Sequence, residues 1–84
     1  MNMEFEEYLS DDEELHMAYL NSYDVIVMGA DIKSIIDSDI YMFVHDPSYP
    51  YEKEDVLLLL KYFEDIEDYE RCIIIKKFYD ESYL

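Results

Sequence analysis

This chain of 84 residues has little of what breaks or staples a fold: one glycine, two prolines, one cysteine and no tryptophan. It is also short of positive charge, with six Lys plus Arg against 22 Asp plus Glu. Each scarcity removes a class. A single cysteine, Cys72, cannot form an internal disulfide, which excludes a disulfide scaffold and suits a reducing cytosol. One glycine leaves no glycine-rich loop to cradle a phosphate. No apolar run approaches the ~18 residues of a membrane span; the longest aliphatic run, residues 56–60, has five. Met1-Asn2-Met3-Glu4 is acidic, so neither a secretory signal nor a transit peptide is expected, and the cytoplasm is the expected compartment. Such a surface should repel nucleic acid and anionic membrane, which leaves basic proteins as natural partners.

What is present is apolar content and negative charge together. Hydrophobic residues make up 51%, with ten Tyr and four Phe, and the formal net charge is −16. High charge signals disorder only where apolar content is low. Here it predicts one folded domain over residues 1–84, with a modest core under an acidic skin. Residues 1–32 carry nine acids and no base, residues 33–51 carry a net −2, and residues 52–84 set ten acids against five bases. No internal repeat or composition shift marks a boundary.

Local signals predict a mainly helical fold. Ser10-Asp11-Asp12-Glu13 reads as a capping box, and acids in the first turn complement the helix dipole. Leu15, Ala18, Tyr19, Ser22 and Ile26 follow at helical spacing, with a stop at Gly29, so the helix is expected to reach Met28. The rival is a short strand over residues 24–28, where Val25-Ile26-Val27 is β-branched. Asp31 should cap a short helix over residues 32–37. Residues 40–44 are extended, a possible short β segment, or a further helical turn; residues 45–50, with Pro47 and Pro50, form a loop. Pro50 then opens a helical region whose first turn holds Glu52, Glu54 and Asp55. Val56, Leu59, Leu60 and Phe63 form its core stripe, widened by Leu57 and Leu58. A second arc runs through Cys72, Ile74, Ile75, Phe78 and Tyr79. A bend at residues 66–68, with Asp68 as N-cap, makes the pair an antiparallel hairpin; one unbroken helix of about 29 residues is the alternative.

Chemistry-bearing residues are few. Glu13 and His16 share a helix face, but di-metal bundles need two such pairs and two further Glu, so a solvated face is the simpler reading. Asp37-Ser38-Asp39 lacks the glycine and closing Glu of a calcium loop. Cys72 follows from its apolar arc as a buried core residue despite its neighbour Arg71. His45 lies in the proline loop. No acid, base and nucleophile converge in the sequence, so neither catalysis nor a cofactor or metal is expected. The acidic surface carries the functional weight. One candidate patch is Glu4, Glu6, Glu7, Asp11, Asp12, Glu13 and Glu14, with Phe5 and Tyr8 as aromatic anchors. The other is Glu64, Asp65, Glu67, Asp68 and Glu70, with Tyr69. Carboxylates at phosphate-like spacing can occupy a basic groove, and aromatic rings supply the contacts that charge alone does not.

Two resemblances bear on this. Tyr69-Glu70-Arg71-Cys72 resembles the aromatic-Glu-basic-small run that opens the second helix of the UVR motif, a helical hairpin of excision-repair subunits and Clp-type chaperone adaptors. The motif's later Arg-Asp is here Lys76-Lys77. This likeness covers about a third of the chain and implies a hairpin. In size, acidity and tyrosine content the chain also resembles small early proteins of bacteriophages, among them anti-restriction and anti-CRISPR inhibitors. That likeness implies a non-enzymatic inhibitor that binds one host protein stoichiometrically; the acidic surface adds the expectation that it blocks a basic, nucleic-acid-binding cleft, in the bacterial cytoplasm if the chain is phage-encoded. An adaptor that recruits a partner through the C-terminal hairpin is the alternative.

Overall fold

A computed structural model describes residues 11–37 and 42–84. The described chain is mainly helical: α1 (Asp11–Ile26), α2 (Ile32–Ile36), α3 (Lys53–Asp65) and α4 (Tyr69–Tyr83), with no strand among the described residues. None of its helices is long and apolar enough to cross a membrane. The expected cap Ser10 lies outside the described residues. Four successive acids, Asp11 to Glu14, fill the first turn of α1, where the helix dipole favours negative charge.

Helix α1 ends at Ile26, two residues short of the expected Met28. The β-branched run is divided: Val25 and Ile26 are helical, and Val27 starts the exit turn. Burial decides this against a strand, because the helical register puts Tyr23 and Ile26 into the core. Gly29, at φ 75°, turns the chain so that the Ala30 N–H bonds back to the Asp24 carbonyl at 2.9 Å. Asp31 caps α2 as expected, accepting from the Lys33 N–H at 3.1 Å.

The possible β segment at residues 40–44 is corrected where it is described; Ile40 and Tyr41 lie outside the described residues. Met42 and Val44 have no strand partner, so side chains of α1 serve their backbone instead. Asn21 Nδ2 donates to the Met42 carbonyl at 2.9 Å, and the Val44 N–H donates to Ser22 Oγ at 2.9 Å. Residues 45–50 form the expected loop, tightened by a Ser48 N–H to Asp46 Oδ1 bond of 2.9 Å. Helix α3 begins at Lys53, three residues after Pro50. The chain is still extended at Glu52, whose N–H is taken by the Asp55 carboxylate at 2.8 Å.

The hairpin forms at the expected bend. Glu67 sits at φ 62°, the left-handed position that usually falls to glycine. Its N–H bonds to the Glu64 carbonyl at 3.0 Å, and the Asp68 N–H bonds to the Phe63 carbonyl at 2.8 Å, which closes α3. Asp68 caps α4 by accepting from the Arg71 N–H at 3.3 Å. The core is Ala18, Tyr23, Ile26, Val56, Leu59, Phe63, Cys72 and Ile75. Leu60 and Phe78 are only partly buried against it. Leu57, Leu58 and Ile74 are exposed, contrary to the wide stripe and to the Ile74 contact read from the sequence. Two helices around α3 cover one broad arc of it, and the rest of its surface faces water.

Candidate interaction surface

The first turn of α1 presents Asp11, Asp12, Glu13 and Glu14, all exposed. Glu4, Phe5, Glu6, Glu7 and Tyr8, expected to extend this patch, lie outside the described residues. The second patch is the α3–α4 bend, where Glu64, Asp65, Glu67, Glu70 and Tyr69 are exposed and Asp68 is half-buried. Tyr69 keeps 59% of its surface exposed, as an anchoring ring requires.

Three of the five acids in the bend already have a cation. Asp65 pairs with Lys61 Nζ at 3.1 Å, Glu64 lies 3.9 Å from Lys76 Nζ, and Asp68 Oδ2 accepts from Arg71 Nη1 at 2.6 Å. Burial of Asp68 raises its pKa, but the side-chain and backbone hydrogen bonds from Arg71 outweigh that and hold the carboxyl below its ordinary range. The guanidinium of Arg71 also lies over the rings of Tyr23, 5.3 Å, and Phe63, 5.7 Å, so it closes the core at the bend. Asp68 and Arg71 are therefore structural first.

His16 is not on a solvated face. Its Nδ1 lies 2.7 Å from the Tyr62 hydroxyl, and Tyr62 stacks on Tyr19 with centroids 3.8 Å apart. Burial raises the Tyr62 pKa, and the charges of Tyr19 and Asp12 add to it. His16 in turn contributes to the lowered pKa of Asp68. Asp12 and Asp68 are thus both within electrostatic range of the His16–Tyr62 pair. Each acidic stretch has one carboxylate that acts electrostatically on this contact.

Ser22, absent from the candidate residues, has no exposed surface, and its Oγ lies 2.7 Å from His45 Nδ1. Oγ also accepts from the Val44 N–H at 2.9 Å, so this one hydroxyl ties both the backbone of Val44 and the His45 ring to α1. Burial lowers the His45 pKa, against the charges of Asp55 and Asp46. This serine-histidine pair is a latch for residues 42–46, closed off from solvent on the serine side. Cys72 is buried as expected, and burial pushes its thiol pKa up. Asp37 follows α2 as its C-cap, while Ser38 and Asp39 lie outside the described residues. Among the described residues no three His, Cys, Asp or Glu side chains group as metal ligands. No protein-family model, curated protein or solved structure matches the chain.

Proposed function

We propose that this protein is a non-enzymatic acidic inhibitor that docks into a basic, nucleic-acid-binding cleft of a host protein. In this reading it acts in the bacterial cytoplasm as a phage-type anti-defence factor of the anti-CRISPR or anti-restriction kind. The observations that support it are the exposed run of four acids in the first turn of α1 and the exposed acids of the bend, each with one carboxylate, Asp12 and Asp68, acting on the His16–Tyr62 contact. Along an α-helix successive residues rise ~1.5 Å, close to the ~1.7 Å per charge along duplex DNA. Asp11 to Glu14 therefore present carboxylates at about the axial charge density that a phosphate-binding cleft is built to meet. Exposed Tyr69 supplies a ring at the bend.

The test is a pull-down of the tagged chain from a bacterial lysate at low and moderate salt, read by mass spectrometry. Capture of a basic nuclease or polymerase should weaken on the order of tenfold as salt rises through the physiological range. Charge reversal at Glu14, Glu64, Glu67 and Glu70 to Lys should abolish it. A partner that stays bound through both changes refutes charge mimicry. It would favour the adaptor reading instead, which rests on the exposed apolar side chains Leu57 and Ile73 of the hairpin.

A further inference from the structure

On the hairpin face turned away from α1, Leu57, Leu60 and Glu64 of α3 and Ile73, Lys76 and Asp80 of α4 follow the same three-then-four spacing, which aligns each set in one stripe. The 3.9 Å contact between Lys76 Nζ and Glu64 Oε2 joins the stripes across the helix pair. Tyr62 and Arg71, which meet α1 through Tyr19 and Tyr23, leave by the other side. Leu57 is 43% exposed and Ile73 68% exposed. Lys53, Lys61 and Lys77 border the stripes, so four of the chain's five lysines lie on or beside this face. They stand among Glu54, Glu64, Asp65, Glu70, Asp80 and Glu81, with Glu54 and Glu70 each three residues before an apolar side chain of the stripes. The face is thus nearly balanced, and the rest of the molecule carries most of the −16.

We propose that this face is covered by a second copy of the chain, in a two-fold dimer that packs hairpin on hairpin. Two bodies of this charge repel through any other face. Here lysines and carboxylates alternate around Leu57 and Ile73, and a two-fold axis sets the lysines of one copy against Glu64 and Asp80 of its partner, and the reverse. Helices α3 and α4 are each roughly 20 Å long and lie roughly 8–10 Å apart, so each copy offers on the order of 400 Å², below the standard size and in the range of weak, transient contacts. The dimer is therefore expected to be weak and to show only at raised protein concentration.

Sedimentation equilibrium of the full chain, over a concentration series at low and at physiological salt, tests this. A monomer–dimer equilibrium that tightens as salt screens the net repulsion is expected. Leu57→Glu with Ile73→Glu should weaken it at least about tenfold, with helical content and Tm unchanged because both sites are exposed. Leu58→Glu, outside the stripe, should leave it intact. Should the double variant misfold, Lys76→Glu with Lys77→Glu must show the same weakening. A chain monomeric at every concentration, or a dimer indifferent to the stripe variants, overturns the proposal. Formation of a dimer only with a second, different protein overturns it too.

Discussion

Replacing Ser22 with Ala isolates the latch that holds the proline loop to α1. The substitution removes one hydroxyl of a side chain with no exposed surface and two hydrogen bonds, to the Val44 N–H and to His45 Nδ1. Each such bond contributes about 1 kcal/mol net, and a buried donor left without a partner costs about 1–3 kcal/mol. Alanine recovers about 0.5 kcal/mol of helix propensity at this mid-helix position. The expected loss is about 1.5–3 kcal/mol. For a domain of this size it corresponds to a fall in Tm on the order of 10 °C. Urea unfolding followed by far-UV circular dichroism reads the global change. Hydrogen exchange at the Val44 amide reads the local one, which should accelerate even where global unfolding is little affected. In a double-mutant cycle, His45→Ala with Ser22→Ala should lose less than the two single changes together, since the orphaned partner is also gone. A single-variant loss below about 0.5 kcal/mol, the range of ordinary surface changes, would refute the assigned hydrogen bonds.

Glu67 holds a left-handed conformation that costs a side-chain-bearing residue about 1 kcal/mol, so Glu67→Gly should raise the urea midpoint or, after glycine's entropy, leave it level; a marked loss contradicts the bend. The lowered pKa of His45 means the unfolded chain takes up its proton first, so the stability it contributes is full above the ordinary 6.5 and declines as pH falls below it. His45→Asn, which removes the titrating ring and keeps a polar side chain near the Nδ1 position, should flatten the midpoint between about pH 7 and 5; a parent already flat there refutes the argument. Asp68 works in a lower window. Its depressed pKa stabilises the fold above the ordinary 3.8 and is lost as pH falls through the folded value, so Asp68→Asn should remove that acid-side slope. For the proposed partner, neutralising Asp12 and Glu14 to Asn and Gln should weaken capture more than neutralising Glu64 and Asp65, which have lysine partners; equal effects would move the contact to the bend.

Much of the fold was legible because its signals are local. Asp31 and Asp68 sit where a cap must be, and the acids ahead of α3 announce its start within three residues. The bend was legible although its left-handed residue is Glu67, since five acids in seven residues interrupt both apolar stripes. The run Val56-Leu57-Leu58-Leu59-Leu60 was not legible in detail. A run apolar at every position carries no period, and only the placement of α1 and α4 decides that Val56 and Leu59 are covered and Leu57 and Leu58 are not. Tyr23 was missed because it stands between Ser22 and Asp24 in a polar-looking stretch. The Ser22–His45 latch spans 23 residues and leaves no local trace. The crossing of α1 over α3 through Tyr19 and Tyr62 is likewise a packing result that no spacing along the chain encodes.

That packing also redistributes the meaning of the charge. In sequence the bend is the denser acidic cluster and the first turn of α1 the plainer helix start. In the fold the order reverses. Asp68 is held by Arg71, and Asp65 and Glu64 have lysines at 3.1 and 3.9 Å. Exposed pairs contribute little to stability, about 0–1 kcal/mol, yet each one lowers the charge a partner would meet. Helix α1 carries five acids and no Lys or Arg. The lysines that could have balanced it lie on the far side of the hairpin, beside Leu57 and Ile73. A molecule so divided has two surfaces with different demands. The acidic end is suited to a strongly basic partner at low screening, and the lysine-bordered hairpin face to a contact that neutral pairing and apolar burial can hold at higher salt. Opposite salt responses are thus the signature that separates the two, whichever partner each one meets.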